Sequence, residues 1–480
     1  MKKLFLFILW MALPLLMAAQ VTLPKVIGDH MVLQQGKKVN IWGQAAPGER
    51  VTVKFQRQTK RAVADAEGHW CVQLDELTAT HKPQQMTVRG RKNTIRLKDI
   101  LIGEVWLASG QSNMEYSMNN HPKYAKAKKG NPDRLKEEYE QANSPIIRLM
   151  HVKKDLKSDT LPSLGWQRLS QESLAPMSAA GYFFAKRLVE ELDVPVGIIS
   201  TSWGGTRIET WTSEEAYAQS PLFKDKLSDH KIDGHRAGDR YNKMVAPMVP
   251  FTLRGFLWYQ GESNLLDLGA TDNYADKKRV LVESWRKAWM DDTLPFYYVQ
   301  ISPYAYSVRR GDRVVNAWDA LPKFWEEQTK CLQIPLTGMV VTTDLVDNVK
   351  DIHPSYKWTV GERLARLALA KDYGKTEVVY SGPIYKGIRT EGKKVIVEFD
   401  HTHGGLQTSD GKAPDWFTVK LDNGKYSKPQ SATIEGNTVV LTHERLDPSG
   451  SVRFAWDELA MPNLVNGEGL PARPFRATAK

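Results

Sequence analysis

At 480 residues the chain is too long for one ordinary domain, and 41% hydrophobic residues with 10% aromatics exclude a disordered polymer. The formal net charge is +11, yet the lysines and arginines are dispersed, with no basic tail and no aromatic-basic stripe, which argues against a nucleic-acid partner. The only cysteines, Cys71 and Cys331, are expected to be buried and unpaired, and no Cys/His spacing predicts a metal or other cofactor.

In chain order, MKKLFLFILWMALPLLMAAQ comes first: two lysines, a short apolar run, then small residues. That layout predicts a secretory signal over residues 1–19, and hence a secreted, most readily periplasmic, protein with no membrane anchor in its mature form. Residues 20–99 alternate apolar and polar positions between turn residues and predict a small N-terminal β-sandwich. Within it KKVNIWGQAAPGERVTVKF predicts a hairpin around APGE, and QQMTVRGRKNTIRLKDI a second one.

From residue 100 the rhythm changes to strand, loop, helix. EVWLA, VPVGIIST, LRGFLWY, PFYYVQIS and PLTGMVVTTDL read as buried strands. SAAGYFFAKRLVEELD, NYADKKRVLVESWRKAW and YKWTVGERLARLALAKDYG carry helical periodicity, the last with Gly374 as its C′ residue. Alternating strands and helices predict a three-layer α/β domain over residues 100–375, with a largely parallel sheet. Residues 376–480 return to strand runs and predict a C-terminal β-sandwich-like domain.

Four polar clusters follow strands in the α/β region, where open parallel sheets bind their ligands. SGQSN offers a hydroxyl, SWGGT backbone donors, QGESN a side-chain amide, and TTDLVDNVKDIHP a histidine. Singly, each has a plainer explanation: Ser112 as a helix cap, Gly204 and Gly205 as a tight turn, Gln260 as a buried amide, His353 as a helix-entry residue. Together they supply what acyl transfer needs, namely a nucleophile, a base and preorganised donors for an oxyanion.

The serine turn lacks the second glycine of the G-x-S-x-G elbow, since Met114 stands in that place. It resembles instead the SGNH hydrolase superfamily, and more closely the sialate O-acetylesterase family of carbohydrate esterases. EVWLASGQSNMEYSM, SWGGTRIETWTS, RGFLWYQGESN and DIHPSYKWTVGERLARLALA are similar to its catalytic blocks. DHMVLQQGKKVNIWGQAAPGERVTV and VRFAWDELAMPNLVNGEGLPARPFR are similar to its two ends. The resemblance implies that Ser112 is the nucleophile and His353 the general base. It also implies an oxyanion site of the Ser112 N–H, that of Gly204 or Gly205, and the Gln260 amide, with Asn264 the alternative to Gln260. Asp351 is expected to orient His353, with Asp344, Asp347 or a backbone carbonyl as rivals. Arg207, Trp203, Glu262 and Asn264 are the expected substrate contacts; Arg207 is read as a carboxylate clamp or, the commoner case, an outward salt-bridging residue, and Trp211, Trp258 and Tyr259 as further pocket lining or core.

The implied activity is removal of O-acetyl groups from glycans without a cofactor, with O-acetylated sialic acid first and acetylated xylan, xyloglucan or pectin as alternatives. A glycosidase built on Glu262 and Asp344 leaves Ser112 and His353 without roles. A glycan-binding protein with a vestigial site is the remaining alternative. The sequence sets no oligomeric state.

Overall fold

The computed structural model describes residues 20–120, 126–266, 273–307 and 316–479; the expected signal segment lies outside them. The central sheet is built on seven strands: β1 (Thr94–Gly110), β2 (Ile147–Val152), β3 (Ser163–Arg168), β4 (Val196–Ser202), β5 (Gly255–Tyr259), β6 (Phe296–Val299) and β7 (Thr337–Val340). Their spatial order is β7-β6-β5-β1-β4-β2-β3, with every neighbouring pair parallel except the edge pair of β2 and β3.

Register explains why these strands read as unbroken apolar runs. Leu107, Phe256 and Phe296 are cross-strand partners on one face, covered by Trp285 and Trp289 of helix α4 (Tyr274–Trp289). Ala108, Leu257 and Tyr297 share the other face with Trp106. There Phe184 of helix α2 (Ala179–Leu192) meets Trp106 edge-on, and Leu367 of helix α6 (Lys357–Asp372) lies close to Tyr297's partner Gly338. With helices on both faces, a central strand has no solvent side, so period-two polarity disappears. Helix α2 starts where Ser178 Oγ accepts from the Gly181 N–H at 3.1 Å, and Gly374 follows α6 with φ +67°, the left-handed stop expected of it.

Strand β1 spans 17 residues and crosses residue 100 without a break. Its first half pairs with Thr80–Arg89 and Val32–Gln34, and its second half is the centre of the seven-stranded sheet. The expected join between residues 99 and 100 therefore falls inside one continuous strand. The second expected hairpin forms, with Arg89 opposite Thr94. The first does not: Val39–Gln44 pairs with His69–Leu74, while Arg50–Phe55 pairs with Gln58–Val63 and Thr80–Arg89. Pro47-Gly48 is a corner between two sheets rather than a two-strand turn. Both cysteines are free, but only Cys331 is buried. Cys71 alternates with the inward Trp70 and Val72 on its strand and so faces out.

Beyond residue 375 lie two four-stranded antiparallel sheets. One contains Ile384–Glu391, Lys394–Asp400, Thr438–Thr442 and Ser431–Glu435; the other contains Tyr426–Ser427, Phe417–Lys420, Val452–Phe454 and Phe475–Ala477. No helix among the described residues is long and apolar enough to cross a membrane.

Candidate active site

Three of the four motifs meet because three strands end level. Gly110 of β1 is the register partner of both Ser202 on β4 and Tyr259 on β5, so residues 111–112, 203–205 and 260–262 leave the sheet together. The Trp203 N–H donates to the Gly110 carbonyl at 3.1 Å and the Gln111 N–H to the Tyr259 carbonyl at 3.0 Å. Only glycine suits position 110, where φ is +140° and a Cβ would lie 2.2 Å from the Tyr259 oxygen.

Ser112 opens the short helix α1 (Ser112–Glu115) and is partly exposed between two buried polar neighbours. On one side, Gln111 Oε1 accepts from the Ser263 N–H at 3.1 Å and Gln260 Nε2 at 3.2 Å. On the other, Asn113 Nδ2 donates to Glu262 Oε1 at 2.6 Å and to the Ile352 carbonyl at 3.0 Å. Asn113 Oδ1 accepts from Lys357 Nζ at 2.8 Å, and the same ammonium donates to the Pro354 carbonyl at 2.6 Å. The side chains before and after Ser112 are thus pulled down, and Asn113 and Lys357 together hold both flanks of His353.

The His353 backbone N–H donates to Asp351 Oδ1 at 2.9 Å, and that oxygen lies 3.8 Å from His353 Nδ1. Asp344 forks onto Arg363 at 2.8 and 2.6 Å. Asp347 accepts from the Tyr356 hydroxyl and the Lys128 N–H. Both rivals of Asp351 are therefore engaged elsewhere.

Gly204 packs against the Ser112 turn, where a Cβ would come within 3.3 Å of Ser112 Cβ. Its N–H donates to the Glu115 carboxylate, whereas those of Ser112 and Gly205 have no acceptor among the described residues. Gln260 leaves no donor for a substrate oxygen. It is wholly buried, and its two amide hydrogens are shared by Asn264 Oδ1 at 2.7 Å and, at 3.2 Å each, by Gln111 Oε1 and the Thr206 carbonyl. Asn264 is equally committed, accepting from the Ile208 N–H and donating to Glu209.

Like Asn264, the expected substrate contacts Arg207 and Glu262 lie beneath the surface. Arg207, 4% exposed, does not clamp at the mouth: its Nη2 and Nε donate to Glu209 at 2.7 and 3.1 Å, because the carboxylate two residues on offers a partner without solvent. Lys277 Nζ completes that cluster, 2.6 Å from Glu209. Burial would raise the Glu209 pKa, but the Arg207 hydrogen bonds and the Lys277 charge hold it at about 2. Glu262 is also buried, and there burial prevails and raises its pKa against the Asn113 hydrogen bond and the Lys357 charge. Burial draws Lys357 down to about 7, against the pull of Glu262 and Asp351. Trp211, Trp258 and Tyr259 are core rather than pocket lining; buried strand-end aromatics follow from a sheet covered on both faces.

Trp203 alone of those aromatics is partly exposed, and the Arg240 guanidinium lies 4.8 Å from its ring centroid. The carboxylate of Asp239 is 3.8 Å away, and Arg240 Nε, although buried, has no hydrogen-bond partner among the described residues. Sequence reasoning missed Arg240 because it stands in no motif. It missed Asn113 and Lys357 too, though both adjoin motif residues and a buried polar side chain requires a partner.

The family described as carbohydrate esterase, sialic acid-specific acetylesterase, matches residues 102–370. Human sialate O-acetylesterase is 27% identical over 495 residues, covering 94% of this chain and 91% of that protein. The mouse protein of that name is 28% identical over 499 residues, covering 90% and 88%. The crystal structure of a carbohydrate acetylesterase from Xanthomonas citri superposes with a TM-score of 0.82 at 31% identity, covering 95% of this chain and 99% of that one.

Proposed function

This chain belongs to the sialic acid-specific acetylesterase family of carbohydrate esterases, and we propose that it uses Ser112 and His353 to deacetylate O-acetylated sialic acid outside the cytoplasm. That it hydrolyses acetyl esters of carbohydrates follows from the family; the residues and the sugar are the proposal. The observation that carries the mechanism is the Asn113 bridge, which ties the residue after Ser112 to the carbonyl before His353 at 3.0 Å.

In this reading Ser112 Oγ attacks the acetyl carbonyl carbon as His353 takes its proton. The carbonyl electrons move onto oxygen, where the N–H groups of Ser112 and Gly205 receive the charge; each such donor is worth about 3 kcal/mol of barrier. The tetrahedral intermediate collapses, the C–O bond to the sugar breaks, and His353 gives its proton to the departing alkoxide. Water, deprotonated by His353, then releases acetate and restores Ser112. Asp351 holds the ring through the loop geometry described above.

Support for an acidic sugar comes from Arg240. A half-buried guanidinium with an unmet donor, one residue cluster away from Ser112, suits a carboxylate, whereas neutral xylan or xyloglucan makes no use of it. The leader-like residues 1–19 support a secreted location. The test is acetate release from 9-O-acetylated sialic acid, acetylated xylan and 4-nitrophenyl acetate. Ser112→Ala should lower kcat/KM on all three by at least about ten-thousand-fold. Arg240→Ala should lower it about ten- to hundred-fold on the sialic acid alone. Equal activity of Ser112→Ala and wild type would remove the mechanism; an equal effect of Arg240→Ala on all three would remove the acidic-sugar reading.

A further inference from the structure

A cleft of about 430 Å³ opens where the C-terminal β-domain meets the catalytic domain. It lies within the ~300–1,000 Å³ range of small-molecule sites. Trp318, from the segment preceding helix α5 (Ala320–Lys330), faces Trp416, Tyr426, Arg453 and Trp456 across it, with Asp415 among them. Nothing in the ester-hydrolysing machinery uses these residues.

The backbone is arranged to present the rings. Trp416 has φ +58° and Ala455 φ +52°, left-handed conformations that are unusual for side-chain-bearing residues, above all for an indole. The two are joined, since the Ala455 N–H donates to the Trp416 carbonyl at 3.0 Å. This paired reversal ends two neighbouring strands and sets Trp416 and Trp456 at one cleft. Trp456 is fixed: it is 6% exposed and lies 4.9 Å from the Arg476 guanidinium, which is itself paired with Glu326 of α5. Trp318, by contrast, is 52% exposed, a large apolar ring left open to the cleft.

The polar groups complement the rings. The Arg453 guanidinium lies 3.7 Å from the Tyr426 centroid, and its buried Nε has no hydrogen-bond partner among the described residues. Burial raises the pKa of Asp415 against its hydrogen bond from the Asn463 N–H. Aromatic rings, a guanidinium stacked on one of them and the Asp415 carboxylate are the groups that recognise a sugar. A pyranose has a C–H face that stacks on an aromatic ring and hydroxyls in its plane that donate to carboxylates and accept from guanidinium groups.

Hydrogen bonds link the residue two after Trp456 to the histidine loop. The Glu458 carbonyl accepts from the Tyr304 N–H at 3.0 Å, and its carboxylate from the Ser307 N–H at 2.8 Å. Between those residues, the Ala305 N–H donates to the carbonyl of Val349 at 2.9 Å, in the loop that carries His353. We propose that this cleft is a saccharide subsite, which holds a pyranose unit of the glycan without taking part in the reaction.

Calorimetric titration of Ser112→Ala with xylohexaose and with a disialylated N-glycan tests binding directly. At least one should bind, and adding Trp318→Ala or Tyr426→Ala should weaken it about tenfold. In the otherwise wild-type chain, Trp318→Ala should leave kcat/KM on 4-nitrophenyl acetate within about twofold, which checks that the fold is intact. Binding of neither probe, or equal binding by Trp318→Ala and Tyr426→Ala, overturns the subsite. Saccharide binding without acetate release from any ester leaves the subsite standing and sinks the serine-esterase reading alone.

Discussion

Two buried carboxylates at the same edge of the sheet are treated in opposite ways. Glu209 is surrounded by donors: Arg207, Lys277 and Asn264 all reach it, and its pKa is held at about 2. Glu262 receives Asn113 on one oxygen, while its Oε2 is buried with no partner among the described residues, and its pKa is raised. The first cluster is a finished clamp that fixes the segment after Gly204-Gly205. The second, which borders Ser112 and the histidine loop, stays undercompensated, and its lysine is drawn to about 7. Unpaired buried charge is costly, and the protein carries that cost beside Ser112 and His353, the nucleophile and base of the proposed mechanism.

Breaking the finished clamp should have the largest effect. Glu209→Ala removes the buried carboxylate shared by Arg207 and Lys277, leaving Lys277 with the partly exposed Asp233, and should cost about 3–5 kcal/mol of stability by urea unfolding. The surviving folded fraction should still cleave 4-nitrophenyl acetate, since no group of this cluster touches the ester. A stability loss within experimental error would mean that the two cations readily find water, and the contrast between clusters would fail.

Asn113→Ala should act the other way round. Loss of its hydrogen bonds should cost about 1–3 kcal/mol, less than Glu209→Ala. Under the proposed mechanism its kcat should nevertheless fall about a hundredfold, because a displacement of about 1 Å between Ser112 and His353 would cost that much. KM on the small ester should hold, since Asn113 is buried away from substrate. A rise in KM with kcat intact would assign Asn113 to binding rather than to positioning.

The same contrast marks what the sequence could tell. Strand ends and their polar motifs were legible, because a parallel sheet aligns its carboxyl ends and glycine at 110 is forced by close approach to Tyr259. The partners of buried charges were not. Arg207 looks like a mouth residue until Glu209, Lys277 and Asn264 are seen to converge on one point from three segments. The corner at Pro47-Gly48 was hidden for a related reason: a turn signal reports that the chain reverses, not which strand it joins next. Strand β1 concealed the domain join, since nothing in its composition changes where its partners do. The aromatic cleft was invisible because Trp318, Trp416 and Trp456 are far apart in sequence and each alone reads as core.

The finest discrimination between the two carboxylates is their response to acid. Glu209 has a folded pKa below its unfolded value, so its stabilisation is complete above the usual glutamate pKa near 4.5 and is lost as pH falls through about 2. Glu262 has a folded pKa above its unfolded value, so its burial carries no ionisation penalty well below pH 4.5, and one develops as pH rises past that point. Glu209→Gln should therefore differ most from wild type near neutrality and least in acid, always on the destabilised side. Glu262→Gln keeps the shape and removes the charge, so relative to wild type it should gain stability as pH rises from 3 to 7. Urea unfolding of both variants at pH 3, 5 and 7 reads this as two slopes of opposite sign. Slopes of the same sign would mean that Lys357 compensates Glu262 as fully as Arg207 and Lys277 compensate Glu209, and the layer beneath Ser112 would then be an ordinary ion pair.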